Sequence, residues 1–151
     1  ITRDADGIIC QYTPITVNVI NSLQKCKVIS RYGAGVDNID VKAATERGIA
    51  VAYVPDYCID EVSNHTIALI MSLAREISAY DVSTRNDIWD YKASEPIYSF
   101  SGQTIGIFGL GRIGLAVAKK LQNLNIKILS NDPYVEKNYS RDKDGKFSGI
   151  G

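Results

Sequence analysis

Three glycines and one aspartate, Gly109, Gly111, Gly114 and Asp132, are the residues whose types and spacing most plainly suit a chemical task. The glycines lie in Thr104-Ile105-Gly106-Ile107-Phe108-Gly109-Leu110-Gly111-Arg112-Ile113-Gly114-Leu115, which reads as a buried strand, a glycine turn and the start of a helix. Gly109 suits the tight bend, Gly111 lets the backbone approach a pyrophosphate, and Gly114 lets the helix lie close to the strand. The anion would rest on the helix N-terminus, where unpaired N–H groups and the positive end of the macrodipole favour it.

A bare G-x-G-x-x-G is weak evidence, because such turns arise by chance and kinase loops share the spacing. Its context here is more specific. The motif follows an apolar run and opens a helical pattern at Ile113, Val117, Ala118, Leu121 and Leu124. A second apolar run, Ile126 to Leu129, then ends at Asn131-Asp132, about 20 residues on, where a dinucleotide site places the acid that binds the adenosine ribose hydroxyls. The plainer alternative is a strand-turn-helix without a ligand.

Other candidates are weaker. His65 is the only histidine and lies four residues after Glu61, a helical spacing that suits a structural pairing better than catalysis. In the tail, Ser140, Asp142, Asp144, Gly145 and Phe147 partly mimic a calcium loop, but Gly151 stands where the bidentate glutamate belongs, so a polar tail is the expectation.

Composition narrows the classes. The chain has 151 residues, the length of one ordinary domain, with 17 basic residues against 17 acidic ones, a balance that argues against nucleic acid or anionic lipid as a partner. Cys10, Cys26 and Cys58 lack C-x-x-C spacing, which suggests reduced thiols and a cytoplasmic setting. The apolar run Ile67 to Leu73 is far short of a membrane span. The sequence begins at Ile1, has Met71 as its only methionine and loses its pattern soon after Asp132, so a fragment is expected.

The elements that must position these residues follow in order. Strands are expected at Gly7–Cys10, Val28–Ile29 and Ile49–Val54, with helical spacing at Ile15, Val19, Ile20 and Leu23 after Pro14, and again from Val41 to Arg47. Asp37 or Asp40 suits the N-cap of the second helix, and Gly48 its C-terminal stop. Alternation of strand and helix predicts α/β architecture with a parallel sheet. One long helix is expected from Asp60, as N-cap, to about Tyr80; with apolar residues around most of its surface, it should lie between layers or between subunits. From Asp81 to Ser101 the composition turns polar and aromatic, reading as an ordered connection.

From Arg31-Tyr32-Gly33-Ala34-Gly35-Val36-Asp37-Asn38-Ile39-Asp40 onward, the sequence resembles the D-isomer-specific 2-hydroxyacid dehydrogenases, the family of D-3-phosphoglycerate dehydrogenase and the C-terminal-binding proteins. Arg47-Gly48-Ile49-Ala50-Val51, Val54-Pro55-Asp56-Tyr57, Glu61-Val62-Ser63-Asn64-His65-Thr66, Trp89-Asp90-Tyr91-Lys92, the glycine turn and Asn131-Asp132-Pro133-Tyr134 continue the resemblance in order. It implies that residues 1–54 end a flavodoxin-like substrate domain, that residues 55–135 form the first half of a Rossmann NAD-binding domain, and that 136–151 is a tail departing from the pattern. It implies NAD as cofactor, a small 2-hydroxy or 2-oxo acid as substrate, and a homodimer when complete. Gly109, Gly111, Arg112, Ile113, Gly114 and Asp132 are then cofactor residues, with Ala34 approaching the nicotinamide end and Val62 near the cofactor. The family's arginine, glutamate and histidine fall beyond the second strand of the nucleotide unit, so no catalytic residue is assigned in this chain, and the resemblance speaks against His65. An NAD(H)-sensing protein that dimerises, or an inactive truncated product, are the alternatives.

Overall fold

The computed structural model describes residues 2–94 and 96–135. The chain divides into two compact units, Ile1–Cys58 and Ile59–Gly151. The tail with its calcium-like spacing lies outside the described residues.

In the first unit, strands β1 (Gly7–Cys10), β2 (Val28–Arg31) and β3 (Ala50–Ala52) alternate with helices α1 (Val17–Ser22) and α2 (Val41–Glu46). The strands form one parallel sheet in the order β1-β2-β3, as expected when each crossover is a helix. Its core is Ile20, Leu23, Ile29, Ala44, Ile39 and Ile49, so the apolar spacing in the sequence does face one interior. Asp40 caps α2 by accepting a bond from the Ala43 amide at 2.9 Å, and Gly48 ends it with φ of 66°. Ile15 sits outside α1; it forms an isolated parallel bridge to Ile39.

The second unit contains α3 (Ile59–Ala74), α4 (Ile77–Arg85), β4 (Thr104–Phe108), α5 (Arg112–Leu121) and β5 (Lys127–Asn131), with a 3-10 turn at Gln122–Leu124. β4 and β5 pair in parallel, with Gly106 opposite Leu129 and Phe108 opposite Asn131. One face of this pair, through Ile105, Ile107 and Ile128, packs on Val117, Ala118 and Leu121 of α5 and on Ile67 and Ile70 of α3.

The expected single helix from Asp60 to Tyr80 is two helices. Glu76 adopts a left-handed conformation, φ 52°, and the Glu76 amide reaches back only to the Leu73 carbonyl, 3.2 Å, so the ladder tightens and breaks. No glycine or proline marks the place, and the apolar spacing runs straight through it. Helix α4 also takes in Asp81–Arg85, which the sequence assigns to a connection. Beyond it, Trp89, Tyr91 and Tyr98 are strongly exposed, although the Tyr80 hydroxyl donates to the Tyr91 carbonyl at 2.6 Å and ties the segment to α4.

Nor is Asp60 the N-cap of α3. It lies within the first turn, where its carboxylate accepts from Lys120 Nζ at 2.6 Å and from Asn64 Nδ2 at 3.0 Å. The same ammonium donates to Ser63 Oγ at 2.8 Å and Asn64 Oδ1 at 2.5 Å. Ser63 is fully buried, so the last turn of α5 is fastened to the first turn of α3 by one cation and a ring of oxygens. Lys120 holds the Asp60 carboxyl below its ordinary range, first through the hydrogen bond and then through charge, against a smaller opposing effect of desolvation.

Replacing Lys120 by methionine should therefore lower unfolding stability by about 1 kcal/mol, because the buried Ser63 hydroxyl loses one hydrogen-bond partner while the aliphatic stem is kept. Because the folded pKa of Asp60 is depressed, its contribution is present above the unfolded carboxylate value of about 3.9 and is lost as pH falls through the lowered value. Urea melts at pH 7 and pH 3 check both points: the gap between wild type and Lys120→Met should narrow at the lower pH.

Candidate functional site at the glycine turn

The turn between β4 and α5 is shaped by its glycines in different ways. Gly109 has φ of 89°, a left-handed conformation that other residues adopt only with strain. A Cβ on Gly114 would lie 2.0 Å from the Gly109 carbonyl oxygen and 3.5 Å from Ile107, so helix and turn touch through the missing side chain. Gly111 meets no such constraint: a Cβ there finds nothing within 4 Å. The space in front of it is open, as a site needs if phosphate oxygens are to approach the main chain.

Gly111 is also the N-cap of α5, and no side chain caps this end. The first-turn amides of Ile113 and Gly114 therefore have no intrahelical carbonyl to donate to. Lys119 and Lys120 lie in the last turn of α5, so the helix carries its own cations at the negative end and leaves the positive end for an anion. Arg112 and Ile113 are both exposed at that end.

Asp132 follows β5 directly and closes the turn from the side. Its Oδ2 accepts from the Leu110 amide at 2.6 Å and its Oδ1 from the Tyr134 amide at 2.8 Å. The Tyr134 bond, then the Leu110 bond, and lastly the Val135 amide hold the Asp132 carboxyl below its ordinary range, and desolvation opposes them. One residue earlier, the Asn131 carbonyl accepts from the Gly109 amide at 2.8 Å. The structure thus gathers Gly109, Gly111, Arg112, Ile113, Gly114 and Asp132 at one end of a two-stranded sheet.

The other two expected cofactor residues belong to other elements. Val62 is in the first turn of α3 and 39% exposed. Ala34 belongs to the first unit, in the loop after β2, where Arg31 clamps the chain by donating from Nη1 to the Gly35 carbonyl at 2.9 Å and from Nε to the Gln11 carbonyl at 3.2 Å. His65 is exposed on α3, and no hydrogen bond or ion pair joins it to Glu61 among the described residues, so the expected pairing is not formed.

Two features had no reading from sequence. The Lys120 anchor was signalled only by an acidic first turn in α3 and a cationic last turn in α5. The second is a set of phenols at the carboxyl end of the first sheet. Tyr57 is pushed above its ordinary range chiefly by the charge of Cys58, then by desolvation and a hydrogen bond with Cys58, and to a smaller extent by Tyr32 and Tyr12.

Comparison with known proteins adds to this geometry. Residues 1–142 match the family model described as the D-isomer specific 2-hydroxyacid dehydrogenase, catalytic domain. The chain belongs to that family. It is 41% identical over 136 residues to D-3-phosphoglycerate dehydrogenase of Methanocaldococcus jannaschii, covering 89% of this chain and 26% of the relative. Among solved structures it matches the NADPH-dependent glyoxylate/hydroxypyruvate reductase of Sinorhizobium meliloti, in complex with NADP and malonate, with a TM-score of 0.74 and 29% identity over 91% of this chain and 43% of that one. D-lactate dehydrogenase of Aquifex aeolicus, complexed with NAD and lactic acid, shares the fold at a TM-score of 0.78, 24% identity, 90% of this chain and 41% of that one. The chain thus spans less than half the length of each of these proteins.

The two glycines make separable predictions. Gly114→Ala should cost about 1–3 kcal/mol of stability by overpacking, read as a lower urea midpoint. Gly111→Ala should cost under about 1 kcal/mol, the difference between glycine and alanine at an N-cap, and should instead weaken binding of a pyrophosphate-containing ligand.

Proposed function

We propose that this chain carries the adenosine-and-phosphate grip of an NAD-dependent 2-hydroxyacid dehydrogenase. The observation that carries the proposal is the uncapped α5 N-terminus with open space before Gly111, flanked by the ionised Asp132 at the end of the second strand. Gly109, Gly111, Gly114 and the first-turn amides at Arg112 and Ile113 would hold the pyrophosphate; Ala34 and Val62 would stand nearer the nicotinamide. The bound cofactor supplies the hydride acceptor, and the substrate would be a small 2-hydroxy or 2-oxo acid. No arginine, glutamate or histidine of this chain is assigned to the acid–base step, so the chain alone is proposed to be inactive.

Solved relatives hold either nicotinamide cofactor, so the preference for NAD rests on residue 132 itself. An ionised aspartate accepts from the ribose 2′-hydroxyl and repels a 2′-phosphate. Residues 1–54 would then be the end of the substrate domain, in a cytoplasmic protein whose described helices include none long and apolar enough to cross a membrane.

A second reading is favoured by one observation. Leu69, Leu73 and Ile77 are 59%, 76% and 54% exposed, an apolar stretch of α3 and α4 that no described residue of the second unit covers. A second copy would cover it in a homodimer, and an NAD(H)-sensing protein would use the same contact as its output.

Fluorescence titration should give NADH an affinity at least about tenfold higher than NADPH, a difference of about 1.4 kcal/mol; tighter binding of NADPH would overturn the assignment of Asp132. Sedimentation with and without NADH separates the two readings, since a sensor should dimerise in response to cofactor and an enzyme subunit should not depend on it. Leu73→Glu should reduce association in either case.

A further inference from the structure

We propose that Asp132 is also the positioning residue of the glycine turn, its charge holding the Leu110 amide so that the phosphate grip and ribose recognition stand or fall together. The inference rests on the cofactor reading above for its consequence, though not for its geometry.

The Leu110 side chain is buried, 3% exposed, in the core formed with Val117, Ala118, Leu121 and Ile128. Its amide is thereby drawn into a partly buried place that no β4–β5 ladder bond reaches. The ladder ends one residue earlier, with Gly109 N–H on the Asn131 carbonyl. A buried amide needs a partner, and Asp132 Oδ2 supplies it at 2.6 Å. The carboxylate is itself fixed, because its other oxygen accepts from the Tyr134 amide two residues on, a local turn that aspartate commonly makes. Two consecutive residues of β5's end therefore hold two consecutive amides of the turn.

An ionised carboxylate has about four lone-pair sites. Leu110, Tyr134 and Val135 use three, which leaves one for the ribose 2′-hydroxyl without breaking the clasp. The charge that would select the unphosphorylated ribose is the charge that keeps Leu110 in place. Asparagine offers only one oxygen and turns an N–H₂ group toward the other amide, so it keeps half of the arrangement.

Amide hydrogen exchange at single-residue resolution, on the 151-residue chain without cofactor, tests the clasp. Asp132→Ala should raise exchange at Leu110 by about tenfold or more, the loss of one partly buried hydrogen bond, and Asp132→Asn by less. Exchange at Ala118, within α5, and at Ile29, in the sheet of the first unit, should stay within about twofold and so shows that both units of the variants fold. If a variant unfolds, wild type alone decides: the Leu110 and Tyr134 amide resonances should titrate together with one apparent pKa below about 3.9. Unchanged Leu110 exchange in folded Asp132→Ala, or titration of Tyr134 without Leu110, would overturn the proposal. In the cofactor arm, a residue that only discriminates ribose would bind NADPH more tightly once its charge is removed, whereas the clasp predicts that Asp132→Ala binds neither NADH nor NADPH better than wild type. Since exchange is read without ligand, failure of wild type to bind NADH would defeat the cofactor reading and leave the clasp standing.

Discussion

Helix α5 can rest on the β4 turn only because position 114 has no side chain. The Cβ of any other residue would occupy the Gly109 carbonyl oxygen's place, 2.0 Å away. That contact sets how close α5 comes to β4, and hence how Val117, Ala118 and Leu121 meet Ile105, Ile107 and Ile128. It also places the Ile113 and Gly114 amides at the mouth of the turn. The second unit's core and its candidate binding site are consequences of one steric constraint, so the loss of a few tenths of an ångström there would be felt in both.

Close packing fixes distance but leaves rotation and sliding along the helix axis to be fixed by directional contacts. Two polar fastenings do this at opposite ends of α5. Asp132 holds the turn that precedes the helix, and Lys120 holds its last turn to Asp60, Ser63 and Asn64. The two differ in kind. Lys120 joins two helices through side chains in a half-buried setting, so its loss is expressed chiefly in stability. Asp132 bonds main chain beside an open site, where the same lost bond changes the shape presented to a ligand.

The sequence made legible whatever depends on local pattern. Strand and helix alternation, the Asp40 cap, the Gly48 stop and the glycine turn each depend on a few neighbouring residues, and each stands where spacing placed it. The break at Glu76 was not legible, because the apolar periodicity of α3 runs into α4 without a glycine or proline, and a left-handed glutamate is a tertiary outcome. The Lys120 fastening was not legible either, since it joins residues about 60 positions apart through polar side chains that carry no period. Within the site, glycine spacing announced a phosphate grip, but the Leu110 amide is main chain and has no letter in a motif.

Exposure marks the surfaces of the second unit that its described residues leave uncovered. Parallel strands are found almost only in sheets with both faces covered. Here α3 and α5 cover one face, while Phe108 and Leu129 on the other are 90% and 51% exposed among the described residues. β4, which carries the glycine turn, pairs only with β5 among the described residues, which leave its far edge open. An open edge and an apolar face are both aggregation liabilities. Relatives in which the matched part is under half the chain have further sequence that could supply the cover. The side of α3 and α4 bearing Leu69, Leu73 and Ile77 is a different surface, on helices rather than on the sheet, and so calls for a different cover. Strands beside β4 would cover its edge without hiding this helical side, which is why a helical contact with a second copy is physically motivated separately from the sheet.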